Sequence, residues 1–255
     1  MKLHTQISGD GKPLIILHGF LGMGDNWKSL SKQYIKKGFE VHLLDMRNHG
    51  KSPHSNNFNY DVMVEDIYEY FTFHKIEKAA VIGHSMGGKI AMQFASKYPE
   101  CLSELIIVDI SPKLYHPHHD EILESLKLLQ TKKLTSRQDA DDVLKIKIKE
   151  QGVRLFLLKN LKREDDNSLT LKPNIDVFLK NRKEIGRELP ENCIYHSKTL
   201  FIKGAQSHYI REKDQKLIQK HFPNFKISTV PNAGHWVHAE NPTDFLKTSL
   251  SFLAN

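Results

Sequence analysis

Residues 79 to 94 read "AAVIGHSMGGKIAMQF": an apolar run of small and β-branched residues, a serine between glycines, and at once a helix-like stretch. Few patterns restrict a fold so tightly. A strand that becomes a helix within one residue ends on a strained corner, at a cost of about 1–3 kcal/mol. The positions flanking that corner must be small, because a side chain there would strike the adjoining strand or helix. Gly83 and Gly87 occupy them around Ser85, and Gly88 follows. The hydroxyl then stands at a helix N-terminus, where backbone N–H groups and the dipole favour developing negative charge. Gly-x-Ser-x-Gly alone arises by chance in roughly one chain of this length in ten. The strand before it and the helix after it make it a nucleophile elbow.

The rest of the chain supplies a sheet to hold such a corner. "LIILHGF" (14–20), "FEVHLLD" (39–45), "AAVIGHS" (79–85), "ELIIVDI" (104–110), "TLFIKG" (199–204) and "KISTVP" (226–231) read as strands. Their nearly continuous apolar character is that of strands covered on both faces. Helical patterns fall at about 25–37, 60–74, 86–98, 212–222 and 241–253. This alternation predicts an α/β fold with a doubly wound, mostly parallel sheet, whose ligands bind beyond the carboxyl ends of the strands. The alternation stops after "DISPK". From 113 to 188 only helical patterns are seen, with Ser136 and Asp139 a start signal for one of them. A wholly helical insertion there is expected to form a cap (113–188) over a core made of 1–112 and 189–255.

A chain of 255 residues can bury a sizeable core. With 39% hydrophobic and 26% charged residues, and no apolar run near the ~20 residues of a membrane span, a soluble protein is expected. The first residues lack a secretory pattern, and two cysteines, Cys101 and Cys193, are too few for a disulfide framework. A reduced, cytoplasmic setting and a monomer or weak homodimer are expected. The formal charge of +7 is spread among acids and aliphatics. It reads as a solvated surface rather than a nucleic-acid site, which would need a motif beside the charge. An anionic substrate such as an acyl-CoA remains compatible with it.

Serine at its free pKa is a poor nucleophile, so a base must take its proton. "NAGHWVHAENP" places His235 on a Gly-containing loop between the last strand and the last helix; His238, nearer the helix, is its rival. The histidine needs an acid to set its tautomer. The usual position, the loop after the penultimate strand, is "FIKGAQSHYI" here and holds no carboxylate; Ser207 stands where one would be convenient. Asp109, at the carboxyl end of "LIIVD", opens on the same sheet edge, with Asp214 as the alternative. The backbone N–H groups of Phe20, in "LHGFLG", and of Met86 are the expected oxyanion donors. Asp45, Arg47 and His49 of "DMRNHGKS" resemble a catalytic cluster, but Asp45 and Arg47 are expected to tie down a strand-end loop that Gly50 lets turn. No metal or cofactor is called for, and neither a G-x-G-x-x-G nor a P-loop is present.

With these residues in hand, the chain resembles the α/β-hydrolases, and within them the YbfF-type esterases and the abhydrolase domain-containing protein 11 group. "LHGFLG", "DMRNHGKSPH", "GHSMGGK", "VDISP", "FIKGAQSHYI" and "AGHWVHAENP" carry the resemblance, in order, across the sheet-bearing parts. It implies that the acid follows the strand after the nucleophile helix, hence Asp109. It also implies that Ser207 lies close to the triad, with its hydroxyl able to bond Asp109 or His235. The activity implied is a serine carboxylesterase or thioesterase acting on small to medium acyl esters or thioesters through an acyl-enzyme on Ser85. Apolar cap residues around "RLFLL" (154–158) are expected on the acyl side. A C–C bond hydrolase or lyase on the same scaffold is the alternative enzyme, and a non-catalytic hydrolase-like receptor the alternative outside enzymes. Ser85 excludes the haloalkane dehalogenase and epoxide hydrolase chemistries, which place aspartate at the elbow.

Overall fold

A computed structural model describes residues 1–116 and 119–254. Seven strands form one sheet: β1 (Thr5–Ser8), β2 (Lys12–Leu17), β3 (Phe39–Leu44), β4 (Ala79–His84), β5 (Leu102–Val108), and two that follow a long insertion. The insertion carries a two-stranded hairpin, β6 (Leu161–Arg163) and β7 (Leu169–Leu171). The last two sheet strands are therefore β8 (Thr199–Gly204) and β9 (Phe225–Val230). The order across the sheet is β1-β3-β2-β4-β5-β8-β9. Only β1 runs antiparallel to its neighbour; all other pairs in this sheet are parallel.

The helices are α1 (Lys28–Ile35), α2 (Tyr60–His74), α3 (Met86–Lys97), α4 (Asp120–Gln130), α5 (Arg137–Lys145), α6 (Gln151–Leu158), α7 (Ile175–Lys180), α8 (Arg182–Ile185), α9 (Gln215–His221), α10 (Val237–Glu240) and α11 (Pro242–Leu253). One apolar cluster, with Trp27, Tyr34 and Phe245, packs α1 and α11 against one face of the sheet. The other holds Ile67, Phe71, Ile90 and Phe94 of α2 and α3 against the opposite face. Burial on both faces is why β4 and β5 read as unbroken apolar runs. No helix among the described residues is long and apolar enough to cross a membrane.

All six expected strands exist, five of them within two residues of their expected ends. The expected 14–20 strand stops at Leu17, the last residue to pair with β4, because 18–22 turns over the elbow. The insertion is not wholly helical: Leu161–Arg163 and Leu169–Leu171 form the antiparallel hairpin, closed by a turn with Asn167 at φ 66. Its helix α5 begins as Ser136 and Asp139 suggest, each capping the other's backbone N–H. The "IDVFLKNRKEIGREL" stretch is two short helices, broken at Asn181. The insertion shares the core with the body rather than owning one: Phe178 of α7 and Leu123 of α4 belong to the same apolar cluster as Phe20, Phe58 and Phe71.

Candidate active site

Ser85 lies between β4 and α3 with φ 52 and ψ −116, a strained corner for a residue with a side chain. Its N–H donates to the Val108 carbonyl at 3.0 Å, which binds the elbow to the end of β5. The flanking glycines are sterically required. A Cβ at Gly83 would run into the Gly87 carbonyl, and one at Gly87 into the Leu17 carbonyl.

Asp109 follows β5 directly, fully buried and also in the left-handed region at φ 49. Its N–H donates to the Ile202 carbonyl of β8 at 2.8 Å. Because β8 is the next strand in the sheet, the loop after it lies alongside the carboxylate. There the Gly204 N–H donates to Oδ1 at 3.2 Å, and the Ser207 hydroxyl donates to Oδ2. The Asp109 carboxylate therefore follows one strand, and the donors that hold it come from the end of the neighbouring strand and the loop after it.

His235 sits on the loop between β9 and α10. Its Nδ1 is 2.8 Å from Asp109 Oδ2 and its Nε2 is 3.0 Å from Ser85 Oγ. With Nδ1–H donating to the carboxylate, the Nε2 lone pair faces the serine hydroxyl. Three residues fix the loop. His84 Nε2 bonds the His235 carbonyl at 2.9 Å. Glu240 accepts from the Gly234 N–H at 2.6 Å and from the Trp236 N–H at 3.2 Å. The Tyr209 ring stacks on the imidazole at 3.8 Å between centroids. Burial, reinforced by the neighbouring His238 and His235, pushes the His84 pKa well below the ordinary value, so it is a neutral donor.

The turn at 18–22 passes directly over the serine: a Cβ on Gly19 would come within 3.2 Å of Ser85 Cβ. His18 shapes that turn. Its Nε2 accepts from the Met46 N–H at 2.9 Å and its Nδ1–H donates to the Gly19 carbonyl at 2.8 Å. From the insertion, Asn160 donates to the Leu21 carbonyl at 2.9 Å, and Leu21 has φ 58. The Phe20 ring packs edge-on against Phe178, 4.9 Å away. Met86, the first residue of α3, has an N–H without an intrahelical acceptor.

Ser85, Asp109 and His235 thus meet, with Phe20, Met86 and Ser207 around them. The rivals do different work. His238 lies flat on Trp27 and bonds neither Ser85 nor Asp109. Asp214 pairs with Lys113 and accepts from the Arg211 N–H. Asp45 accepts from Gly24 and Lys51 backbone N–H groups, and Arg47 pairs with buried Asp66. Both tie loops, as expected from the residue types. His84, Glu240 and Asn160 were not singled out in the sequence. Only His84 carries a local signal, its place beside Ser85 in the glycine-flanked corner.

Ser85 opens on two cavities. The larger, about 210 Å³, runs past His235 and Trp236 to Trp27 and His238 on one side and to Val153, Phe156 and Leu157 of α6 on the other. The smaller, about 20 Å³, touches Phe20, Met86, Ile110, Tyr115, Ile185 and Gly186. Among the described residues no group of three His, Cys, Asp or Glu side chains is placed to hold a metal ion.

Comparison with known proteins agrees with this architecture. The model of the alpha/beta hydrolase fold family matches residues 12–242. The chain is 37% identical over 253 residues to the sn-1-specific diacylglycerol lipase ABHD11 of Danio rerio, covering 96% of this chain and 79% of that protein. It is 30% identical to esterase YbfF of Escherichia coli, over 98% of this chain and 96% of that one. A solved marine microorganism esterase superposes with a TM-score of 0.95 at 39% identity, covering 98% of this chain and 99% of its own.

Proposed function

The chain belongs to the alpha/beta hydrolase fold family, and we propose that it is a serine carboxylic ester hydrolase working through an acyl-enzyme on Ser85. One observation carries this reading: the His235 ring bridges Ser85 Oγ at 3.0 Å and Asp109 Oδ2 at 2.8 Å. Oγ attacks the ester carbonyl carbon as its proton passes to Nε2. Asp109 stabilises the imidazolium that forms and does not itself take the proton. The carbonyl oxygen, now an oxyanion, is held by the N–H groups of Phe20 and Met86; losing one such donor raises the barrier by about 2.7–4 kcal/mol. Nε2–H then protonates the departing oxygen, and the C–O bond breaks to leave Ser85 acylated. Water gives a proton to the same nitrogen, attacks the acyl carbon and restores the serine. A thioester follows the same path with sulfur departing. Ser207 and Gly204 keep the carboxylate aligned with Nδ1.

The names of relatives and of the superposed structure, lipase and esterase, support ester hydrolysis as the chemistry. Both cysteines are free and buried, in keeping with a reduced, cytoplasmic setting. The test is covalent. A fluorophosphonate should add its mass to Ser85 in the wild type and not in Ser85→Ala, which should also lose p-nitrophenyl ester hydrolysis while remaining folded. Turnover retained by Ser85→Ala would remove the assignment.

A further inference from the structure

The GHSMGGK stretch ends on a residue that the mechanism above does not use. Lys89 lies one turn beyond the nucleophile on α3, its N–H donating to the Ser85 carbonyl at 3.1 Å, and its side chain is buried at 1% exposure. The ammonium donates to three carbonyls: Lys113 at 2.6 Å, Gly186 at 3.4 Å, and Arg187. Three donors meet three acceptors, so the group is satisfied without a carboxylate. Burial pushes its pKa down to about 7, against the pull of Glu188 and with the help of Arg187 and Lys113.

Those carbonyls belong to the two ends of the insertion. The outgoing and returning segments are cross-bonded there, Tyr115 N–H to the Gly186 carbonyl at 2.8 Å and Leu189 N–H to the Pro112 carbonyl at 2.9 Å. They form a neck, packed so closely that a Cβ on Gly186 would run into the Tyr115 carbonyl. Lys89 pins both halves of it to the helix that carries the nucleophile.

The neck also walls the smaller cavity beside Ser85, through Tyr115, Ile185 and Gly186. Tetrahedral geometry decides what enters that cavity. The departing oxygen must face His235 Nε2, and the larger cavity is the one bordered by His235. The oxyanion faces Phe20 and Met86. The remaining substituent, the acyl chain, is left the smaller space of about 20 Å³, room for a methyl or ethyl group. On this reading Val153, Phe156 and Leu157 of α6 line the leaving-group side rather than the acyl side expected from the sequence.

We propose that the enzyme selects esters with short acyl groups and bulky apolar leaving groups, and that Lys89 is the positioning residue that keeps the acyl side small. The proposal rests on the acyl-enzyme reading and is tested on p-nitrophenyl acetate, butyrate and octanoate. In the wild type, kcat/KM should fall at least tenfold from acetate to octanoate; an octanoate preference would overturn the proposal. In Lys89→Met the neck loses its pin, and the octanoate-to-acetate ratio of kcat/KM should rise at least tenfold. Lys89→Arg, which keeps the donors, should stay nearer the wild type. An unchanged ratio in folded Lys89→Met would overturn the role of Lys89. Should that variant not fold, Lys89→Gln, with two donors, should give an intermediate ratio. Fluorophosphonate labelling separates the two readings: an unlabelled wild type sinks the acyl-enzyme itself, whereas labelled Lys89 variants with unaltered acyl preference sink only this proposal.

Discussion

The Ser207 hydroxyl donates to the Asp109 oxygen, Oδ2, that also accepts from the His235 ring. That oxygen thus holds both the imidazole and the hydroxyl. Removing a hydrogen bond to a charged group costs about 1.5–3 kcal/mol, so Ser207→Ala should lower kcat roughly 10- to 100-fold while KM stays within about twofold. Ser207→Thr should recover most of it. Asp109→Asn removes the carboxylate and should cost about 10⁴-fold in kcat, the scale seen when the imidazole is held in the wrong tautomer. Steady-state kinetics on a short-chain ester reads all three, and an equal loss in Ser207→Thr and Ser207→Ala would argue against the hydroxyl.

Asn160 is buried and comes from the insertion, yet it bonds the Leu21 carbonyl in the turn that carries Phe20. Asn160→Ala leaves that carbonyl without its partner, at about 1–3 kcal/mol. At this chain size we expect Tm to drop by roughly 3–10 °C. The loop should also lose its aim at the oxyanion, so kcat should fall by about tenfold or more with a smaller change in KM. A loss of Tm with kcat intact would show that the contact serves only folding.

Two glycine substitutions should move in opposite directions. Gly87→Ala drives a methyl into the Leu17 carbonyl and should yield inactive or insoluble protein. Gly152, inside α6, has nothing within 4 Å of its would-be Cβ. Gly152→Ala should therefore stabilise by about 0.5–1 kcal/mol through helix propensity, with activity unchanged. Thermal melts of both variants check the pair.

His238 is buried against Trp27 at 3.9 Å between ring centroids. Burial, helped by the nearby His235 and Lys159, pushes its pKa from 6.5 down to about 3. Between those values the unfolded chain holds a proton there that the folded protein refuses, so stability falls as pH drops through the window. His84 and His49, both lowered mainly by burial, act in the same sense. Unfolding free energy measured from pH 7 to 4 should decline for the wild type. The slope should be shallower by about one proton in His238→Gln. Parallel curves for the two proteins would contradict a buried neutral ring.

Ser85, His235 and Asp109 were legible because each follows from a strand end: the elbow demands glycines, and the other two are side chains of suitable chemistry on loops at the same edge. The sheet itself was legible where both faces are covered, as in β4 and β5. β1 was missed because it is an edge strand of mixed character, "TQIS", with no apolar run to mark it. The β6–β7 hairpin was missed because three-residue strands such as "LKR" are too short for alternation to show. Asn160 and Glu240 could not be found from sequence at all. Their roles depend on which backbone atoms lie opposite them in the folded chain, and nothing local marks that.

Ser85 and Asp109 terminate adjacent hydrogen-bonded strands, and each is tied to the strand beyond by its own amide. Ser85 and Asp109 are therefore parts of one stiff frame, unable to drift apart without tearing the sheet. The imidazole rides on the loop after β9, moored to the end of β4 through His84 and held by Glu240. Any transient silencing of this enzyme, whether by thermal breathing or by an engineered trigger, has one natural lever: unmooring the segment around residue 235.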